Sequence, residues 1–262
     1  MAKHAVSSKP SVFEGEVYPT TESGDLIITK YVKAKEVHVR FVDTGYETVT
    51  QAVTIKRGLV RDKSIPRTYG VGYCTTGEHK YVSGGISERA YSTWSGMMAR
   101  CYNQDCRIYP IYGGRGVYVS DAWHDFHKFA EWYVPKHYDG CRLDKDILFR
   151  GNLCYGPDTC CLVPQHLNSI VSLPRESKKE LPLGVFKEGK KYYSKVTLLG
   201  KSKSFGGFSD PESAFLAYKN YKESVIQKLA TDYYNAGKIT EDVRDALVGW
   251  EIKPYPRTMP NE

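Results

Sequence analysis

The chain has 262 residues, of which 41% are hydrophobic and 26% charged. That balance can bury a core, and it excludes a wholly disordered or collagen-like polymer. No uninterrupted apolar run reaches the roughly 18 residues of a membrane span, and the start lacks a secretory h-region, so a cytoplasmic protein without a membrane partner is expected.

The seven cysteines are odd in number and follow neither a disulfide framework nor the two-residue spacing of a zinc ribbon. Buried free thiols in a reducing compartment are expected, with no structural zinc on Cys101 and Cys106. The net charge of +7 is unevenly spread. Residues 1 to 67 carry 11 basic and 8 acidic side chains, residues 68 to 172 carry 10 of each, and residues 173 to 262 carry 16 and 12. Arg175 to Phe205 alone holds 9 basic and 3 acidic. Such a segment concentrates a polyanion and releases its counterions, which makes nucleic acid the natural partner; a merely solvated charged surface is the competing account.

In chain order, Leu26 to Val32, the alternating Val37, Val39 and Phe41, and Glu47 to Val53 predict a small β unit. Lys56, Arg57, Arg61 and Lys63 follow it, and Pro66 with Gly70 to Gly77 marks a boundary. Ala90, Trp94, Met97 and Cys101 then recur at helical spacing. Gly113-Gly114-Arg115-Gly116 forces a tight turn before a strand at Val117 to Val119. Trp123, Phe126, Ala130 and Tyr133 form a second helical face that Pro135 stops. His124 and His127 on that face are expected to be surface or boundary residues rather than a metal pair. From Leu143 to Ser169 the order is a strand, a turn at Gly151-Asn152, the Tyr155-Gly156-Pro157-Asp158 tail, and a helix-capable run from Thr159.

The last segment predicts strands at Gly184 to Lys187, Lys191 to Leu199 and Ser202 to Phe208. A helix follows, with Pro211 at its first position and Ala214, Tyr218, Tyr221, Val225 and Leu229 as its apolar stripe until Gly237. A short helix over Thr240 to Val248 packs behind it.

This last unit resembles the ethylene-response-factor (APETALA-type) DNA-binding domain. The likeness lies in Gly184-Val185, Tyr193 with Lys195 and Val196, Gly206-Gly207-Phe208, and Glu212, Ala214, Ala217 and Tyr218. The resemblance implies that the exposed sheet face enters the major groove of double-stranded DNA through Lys187, Lys191, Tyr193, Lys195, Lys201 and Lys203. Lysine and tyrosine at the family's arginine and tryptophan positions favour phosphate contacts over bidentate base reading.

The middle segment resembles the HNH or His-Me finger endonucleases of homing type found in phages. That likeness is carried by Trp94 and Met97, Arg100-Cys101-Tyr102, the Gly113 to Val117 motif, Trp123, Phe126 and Phe129, Leu143-Asp144-Lys145-Asp146, and Tyr155 to Asp158 with Asn168. It implies an Mg²⁺ or Mn²⁺ ion on Asp144 and Asn168, and Arg115 as a further DNA contact. Lys145 stands where the family's histidine base belongs and Thr159 where its orienting asparagine belongs. A lysine of ordinary basicity is protonated near neutral pH, so Asp146 or His166 would have to activate water.

The expected architecture is therefore α+β. It comprises a small N-terminal β unit (1–67), a central ββα-metal, HNH-like unit with flanking helices (68–172), and a C-terminal three-stranded sheet plus helix (173–262). The function these likenesses imply is a metal-dependent DNA endonuclease of homing type that nicks or cleaves duplex DNA in a bacterial host cell; the alternative is a catalytically inactive DNA-binding or regulatory protein built from the same parts. The N-terminal unit, through Val37 to Phe41 and Thr44-Gly45-Tyr46, resembles the β-rich leader of some phage proteins and offers a surface for a protein partner.

Overall fold

The computed structural model describes residues 11–75, 85–171, 181–198 and 200–254. Gly77, Arg175 and Leu199 of the expectations above lie outside them. The protein is mixed α and β, with several small sheets. It divides into two compact units, Met1–Trp132 and Tyr133–Glu262, and the division falls within the stretch 68–172. No helix among the described residues is long and apolar enough to cross a membrane.

In the first unit, strands β1 (Val17–Pro19), β2 (Asp25–Lys33), β3 (Glu36–Phe41) and β4 (Glu47–Thr50) form an antiparallel meander in that order. Period-two alternation puts Leu26, Ile28, Val37, Val39 and Phe41 on one buried face. The run expected as strand up to Val53 instead turns at Gln51 into α1 (Ala52–Lys56), whose Ala52 and Ile55 cap the same core. The basic stretch after it is anchored by Asp62. This fully buried carboxylate accepts from the Ser64 amide at 2.8 Å and from the hydroxyls of Ser64 and Thr44.

The helical periodicity of the next segment is realised in α2 (Ile86–Tyr102), with Ala90, Trp94, Met97 and Cys101 all buried. Strand β5 (Tyr118–Val119) and α3 (Phe126–Tyr133) follow. Trp123 stands before α3 in a 3₁₀ turn, where its carbonyl accepts the indole N–H of Trp94 at 2.7 Å. His124 precedes the helix and bonds the Val119 carbonyl at 3.0 Å, whereas His127 lies within the helix and is buried rather than superficial.

The second unit opens with β6 (Cys141–Asp144), β7 (Cys154–Tyr155), β8 (Cys161–Pro164) and α4 (Gln165–Val171). β6 and β8 pair antiparallel, Asp144 opposite Cys161. The helix expected from Thr159 begins six residues later. Cys161 to Pro164 are buried throughout, which suits a strand enclosed on both faces better than a surface helix.

Strands β9 (Val185–Glu188), β10 (Lys191–Leu198) and β11 (Lys201–Phe208) form an antiparallel sheet with β10 central. α5 (Pro211–Asn235) packs on one face, and α6 (Glu241–Val248) packs on α5. Asp210 caps α5 by accepting the Ser213 amide at 2.7 Å, and Pro211 occupies the first turn. The core stripe of α5 departs from expectation. Ala214, Tyr218, Lys222, Ile226 and Ala230 are buried, so beyond Tyr218 it continues one residue later than the Tyr221, Val225, Leu229 reading. A strict i, i+4 row must pass through Lys222, a residue type that a hydrophobic pattern search skips. One continuous core joins Ile147, Val163, Leu167 and Ile170 of the hairpin–helix segment to Val185, Val196, Ala214 and Ile226 of the sheet and α5.

Candidate nucleic-acid interface and the hairpin–helix site

Strand parity sorts the sheet's side chains. Residues directly opposite in an antiparallel pair share a face. Ser194 is opposite Val185 and Phe205, and all three turn toward the core. Tyr193 is opposite Phe186 and Gly206 and turns away from it. The outward face therefore carries Phe186, Glu188, Lys191, Tyr193, Lys195, Thr197, Ser202 and Ser204, with Glu188 directly opposite Lys191. A register shift between Tyr192 and Tyr193 leaves Gly207 extra on β11, so that Phe205 and Phe208 both face the helix.

The six sheet residues expected on one DNA-facing surface do not share it. Lys191, Tyr193 and Lys195 do. Lys187 is opposite Tyr192, Lys201 opposite Leu198 and Lys203 opposite Val196, so these three belong to the helix side. At that rim the Lys203 ammonium lies 4.3 Å from the Tyr221 ring centroid, and the Lys187 ammonium lies 5.3 Å from that of Tyr192. The resemblance placed residue types along the strands without fixing their parity. Phe186 was overlooked, although the alternation around Tyr193 contains the signal.

On the outward face the Phe186 and Tyr193 rings are stacked, with centroids 5.7 Å apart and planes at 21°. The Tyr193 ring lies flat over Gly206, where a Cβ would stand 2.0 Å from it. Glycine is therefore the residue that lets the aromatic shelf rest on the backbone. Thr197 and Ser202 share a hydroxyl hydrogen bond of 2.9 Å beyond it.

Charge pairing differs between sheet and helices. Lys219 pairs with Glu223 and Glu251, Arg244 with Glu241 and Asp245, and Lys253 with Glu251. Among the described residues, Lys187, Lys191, Lys195, Lys201 and Lys203 have no acidic partner. Between Val185 and Phe208 stand six lysines and one glutamate, so the sheet keeps an uncompensated positive field. Arg115 is exposed on a 3₁₀ turn, Gly113–Arg115, of the first unit.

The hairpin–helix site is held by a polar cross-link that the sequence did not reveal. The buried Lys145 ammonium donates to Asp146 Oδ1 at 2.8 Å and to the Asn152 carbonyl. The Asn152 amide donates to the carbonyls of Lys145 at 2.9 Å and Cys154 at 2.6 Å, and its oxygen accepts the Cys154 amide. Thr159, expected in the orienting position, donates to the Cys154 carbonyl at 2.8 Å. Asp144 Oδ1 accepts the amides of Asp146 and Ile147 at 2.7 and 2.8 Å. Burial raises the Asp144 carboxyl above its ordinary range, against the opposing pull of those two amides.

His166 is exposed, and its ring bonds the Tyr233 hydroxyl on α5; Asn168 is half-buried on α4. A divalent ion on Asp144 and Asn168 would have to use the second Asp144 oxygen, since Oδ1 already accepts two backbone amides. The adjacent Lys145 ammonium is paired with Asp146 rather than with Asp144. Among the described residues no three His, Cys, Asp or Glu side chains converge on a common point.

Two thiols of the same hairpin are also buried. Burial pushes Cys160 up to about 12, against hydrogen bonds from Gly156 and Thr159, and pushes Cys161 up as well. Because the thiolate is the reactive form, neither residue should be alkylated by iodoacetamide at pH 8 while the protein is folded, and both should be after denaturation. Peptide mass spectrometry of labelled native protein checks this, and native labelling of Cys160 at the rate of a free thiol would refute it.

Comparison of the chain with protein-family models, with characterised proteins and with solved structures returns no match.

Proposed function

We propose that the chain is a DNA-binding protein whose C-terminal sheet lies with its outward face against a duplex, and that its hairpin–helix segment is a structural, non-hydrolytic relative of the HNH unit. The observation that carries this reading is the outward face itself: a Phe186–Tyr193 shelf flanked by Lys191 and Lys195, which form no ion pair although Glu188 stands opposite Lys191, while Lys219 of α5 and Arg244 of α6 are paired. Lysine ammoniums on phosphates supply affinity and register, and flat aromatic rings beside them supply contact with base edges or methyl groups. The resemblance to the APETALA-type domain supports the same face, with the contact set revised to Phe186, Lys191, Tyr193, Lys195, Thr197, Ser202 and Ser204. The non-hydrolytic reading rests on Lys145, which is bound as a cross-link where the family carries its base.

Fluorescence anisotropy with a labelled duplex tests the proposal. Affinity should fall steeply with salt, and the double variant Lys191→Ala, Lys195→Ala should lower the salt slope by about 2. Tyr193→Ala should weaken binding about tenfold with little change in slope. Duplex binding that ignores all three substitutions would overturn the interface. Plasmid nicking with Mg²⁺ or Mn²⁺ that disappears in Asp144→Ala with Asn168→Ala would overturn the non-hydrolytic reading and restore the endonuclease.

A further inference from the structure

Lys222 occupies a core position of α5 with 9% of its surface exposed. Its ammonium has no hydrogen-bond or ion-pair partner among the described residues and lies 5.8 Å from the Tyr218 ring centroid. Burial lowers the basicity of this amine, with no neighbouring charge contributing. The ammonium is largely withdrawn from water and meets it only where it opens on a cleft, and an anion entering there is its natural remedy.

The Lys222 side chain lines a cleft of about 570 Å³ within the second unit. The Gln165, His166 and Ser169 side of the cleft is contributed by α4, with Ile170, and the other side by Thr197 and Leu198 of β10. Ser169 donates its hydroxyl proton to the Gln165 carbonyl at 2.9 Å, and Thr197 is engaged with Ser202. The donors left for a ligand are the Lys222 ammonium and the Gln165 carboxamide, joined by the second ring nitrogen of His166 where its Nε2 accepts from Tyr233. Ile170 and Leu198 supply an apolar wall. The volume is that of a small-molecule site and far exceeds a bare oxyanion.

We infer that this cleft binds a phosphate-bearing small molecule of mononucleotide size, with its phosphate on Lys222 and its ring system against Ile170 and Leu198. An ammonium with a neutral amide donor beside it suits the terminal oxygens of a phosphate monoester, whose three oxygens offer more acceptor sites than the two of a carboxylate. The site is distinct from the outward sheet face, so the two stand or fall separately.

Isothermal titration of the full chain with a nucleoside 5′-monophosphate, and with the unphosphorylated nucleoside, tests this. The monophosphate should bind and the nucleoside should not. Lys222→Met should weaken the monophosphate about 10- to 100-fold, as expected for losing a charge-assisted hydrogen bond. Without ligand, its melting temperature should be no lower than wild type, because the substitution removes an unpaired buried charge. In the wild-type protein the monophosphate should also shield Lys222 from acetylation by acetic anhydride, a readout that needs no variant. Lys191→Ala with Lys195→Ala should leave the monophosphate affinity unchanged. Wild-type protein that does not bind the monophosphate, unchanged affinity in Lys222→Met, or equal binding of the nucleoside would each overturn the inference.

Discussion

Gly113→Ala should be the most damaging single-methyl substitution in the glycine-rich turn of the first unit, costing about 3 kcal/mol or more and lowering the melting temperature on the order of 10 °C. A Cβ at this position would stand 2.1 Å from the carbonyl oxygen of Cys101 and 2.4 Å from the Tyr109 ring. Cys101 lies in the last turn of α2, so the obstacle is backbone, and no rotamer change relieves it. The neighbouring glycines provide the control. At Gly114 the nearest atom would be the Tyr109 carbonyl oxygen at 3.3 Å, and a methyl there should cost well under about 1 kcal/mol. At Gly116 space is open but φ is +80°, so Ala should cost about 1 kcal/mol through the left-handed backbone alone. Thermal or urea unfolding of the three variants gives the order directly. Equal losses at all three positions would show that the turn needs flexible backbone generally rather than one close approach.

The same motif shows what could be read from residues alone. Gly113-Gly114-Arg115-Gly116 signals a turn, and the turn is there, but which glycine is indispensable depends on the approach of α2 from twelve residues earlier in the chain. Local periodicity was legible wherever the buried partner is generic. Val37, Val39 and Phe41, or Ala90, Trp94, Met97 and Cys101, need only an apolar surface opposite. It failed where a polar side chain takes a core position. Lys222 continues the stripe of α5 with its hydrocarbon stem, and a search for hydrophobic residues passes it over for Tyr221 and Val225.

The candidate sites were legible in composition but not in geometry. Six lysines are concentrated between Val185 and Phe208, the stretch that folds as the three-stranded sheet. Which of them look outward depends on register, and a single step of parity moves Lys187, Lys201 and Lys203 to the helix side. Around the hairpin, the resemblance to the HNH unit assigned Asp144, Lys145 and Asn168 by position, with Asp146 or His166 as the substitute base. The structure spends them differently: Asp144 on two amides, Lys145 on Asp146 and Asn152, His166 on Tyr233. Asn152, which ties three backbone groups of the loop, appeared in the sequence only as half of a Gly-Asn turn.

The cross-link around Lys145 makes a second strong expectation. Asp146→Ala should destabilise the second unit by about 2–3 kcal/mol, because it leaves a buried ammonium with a carbonyl as its remaining partner. The lower end of the usual range for a broken buried pair applies, since the Asp146 side chain is 47% exposed and water already screens part of the attraction. Lys145→Met should cost less, because it removes the buried charge and keeps the packing, leaving Asp146 free to hydrate. The double variant should then be more stable than Asp146→Ala alone, with a coupling of about 1–2 kcal/mol between the two positions. This ordering separates structural from chemical roles. If Lys145 were a proton acceptor poised beside a metal-bound carboxylate, removing Asp146 would not specifically strand it, and the two substitutions would add. Denaturant unfolding of the three variants, with the midpoint and slope measured for each, decides between these outcomes. Additive losses would remove the cross-link from the fold's support and, with it, the main physical ground for a non-hydrolytic hairpin.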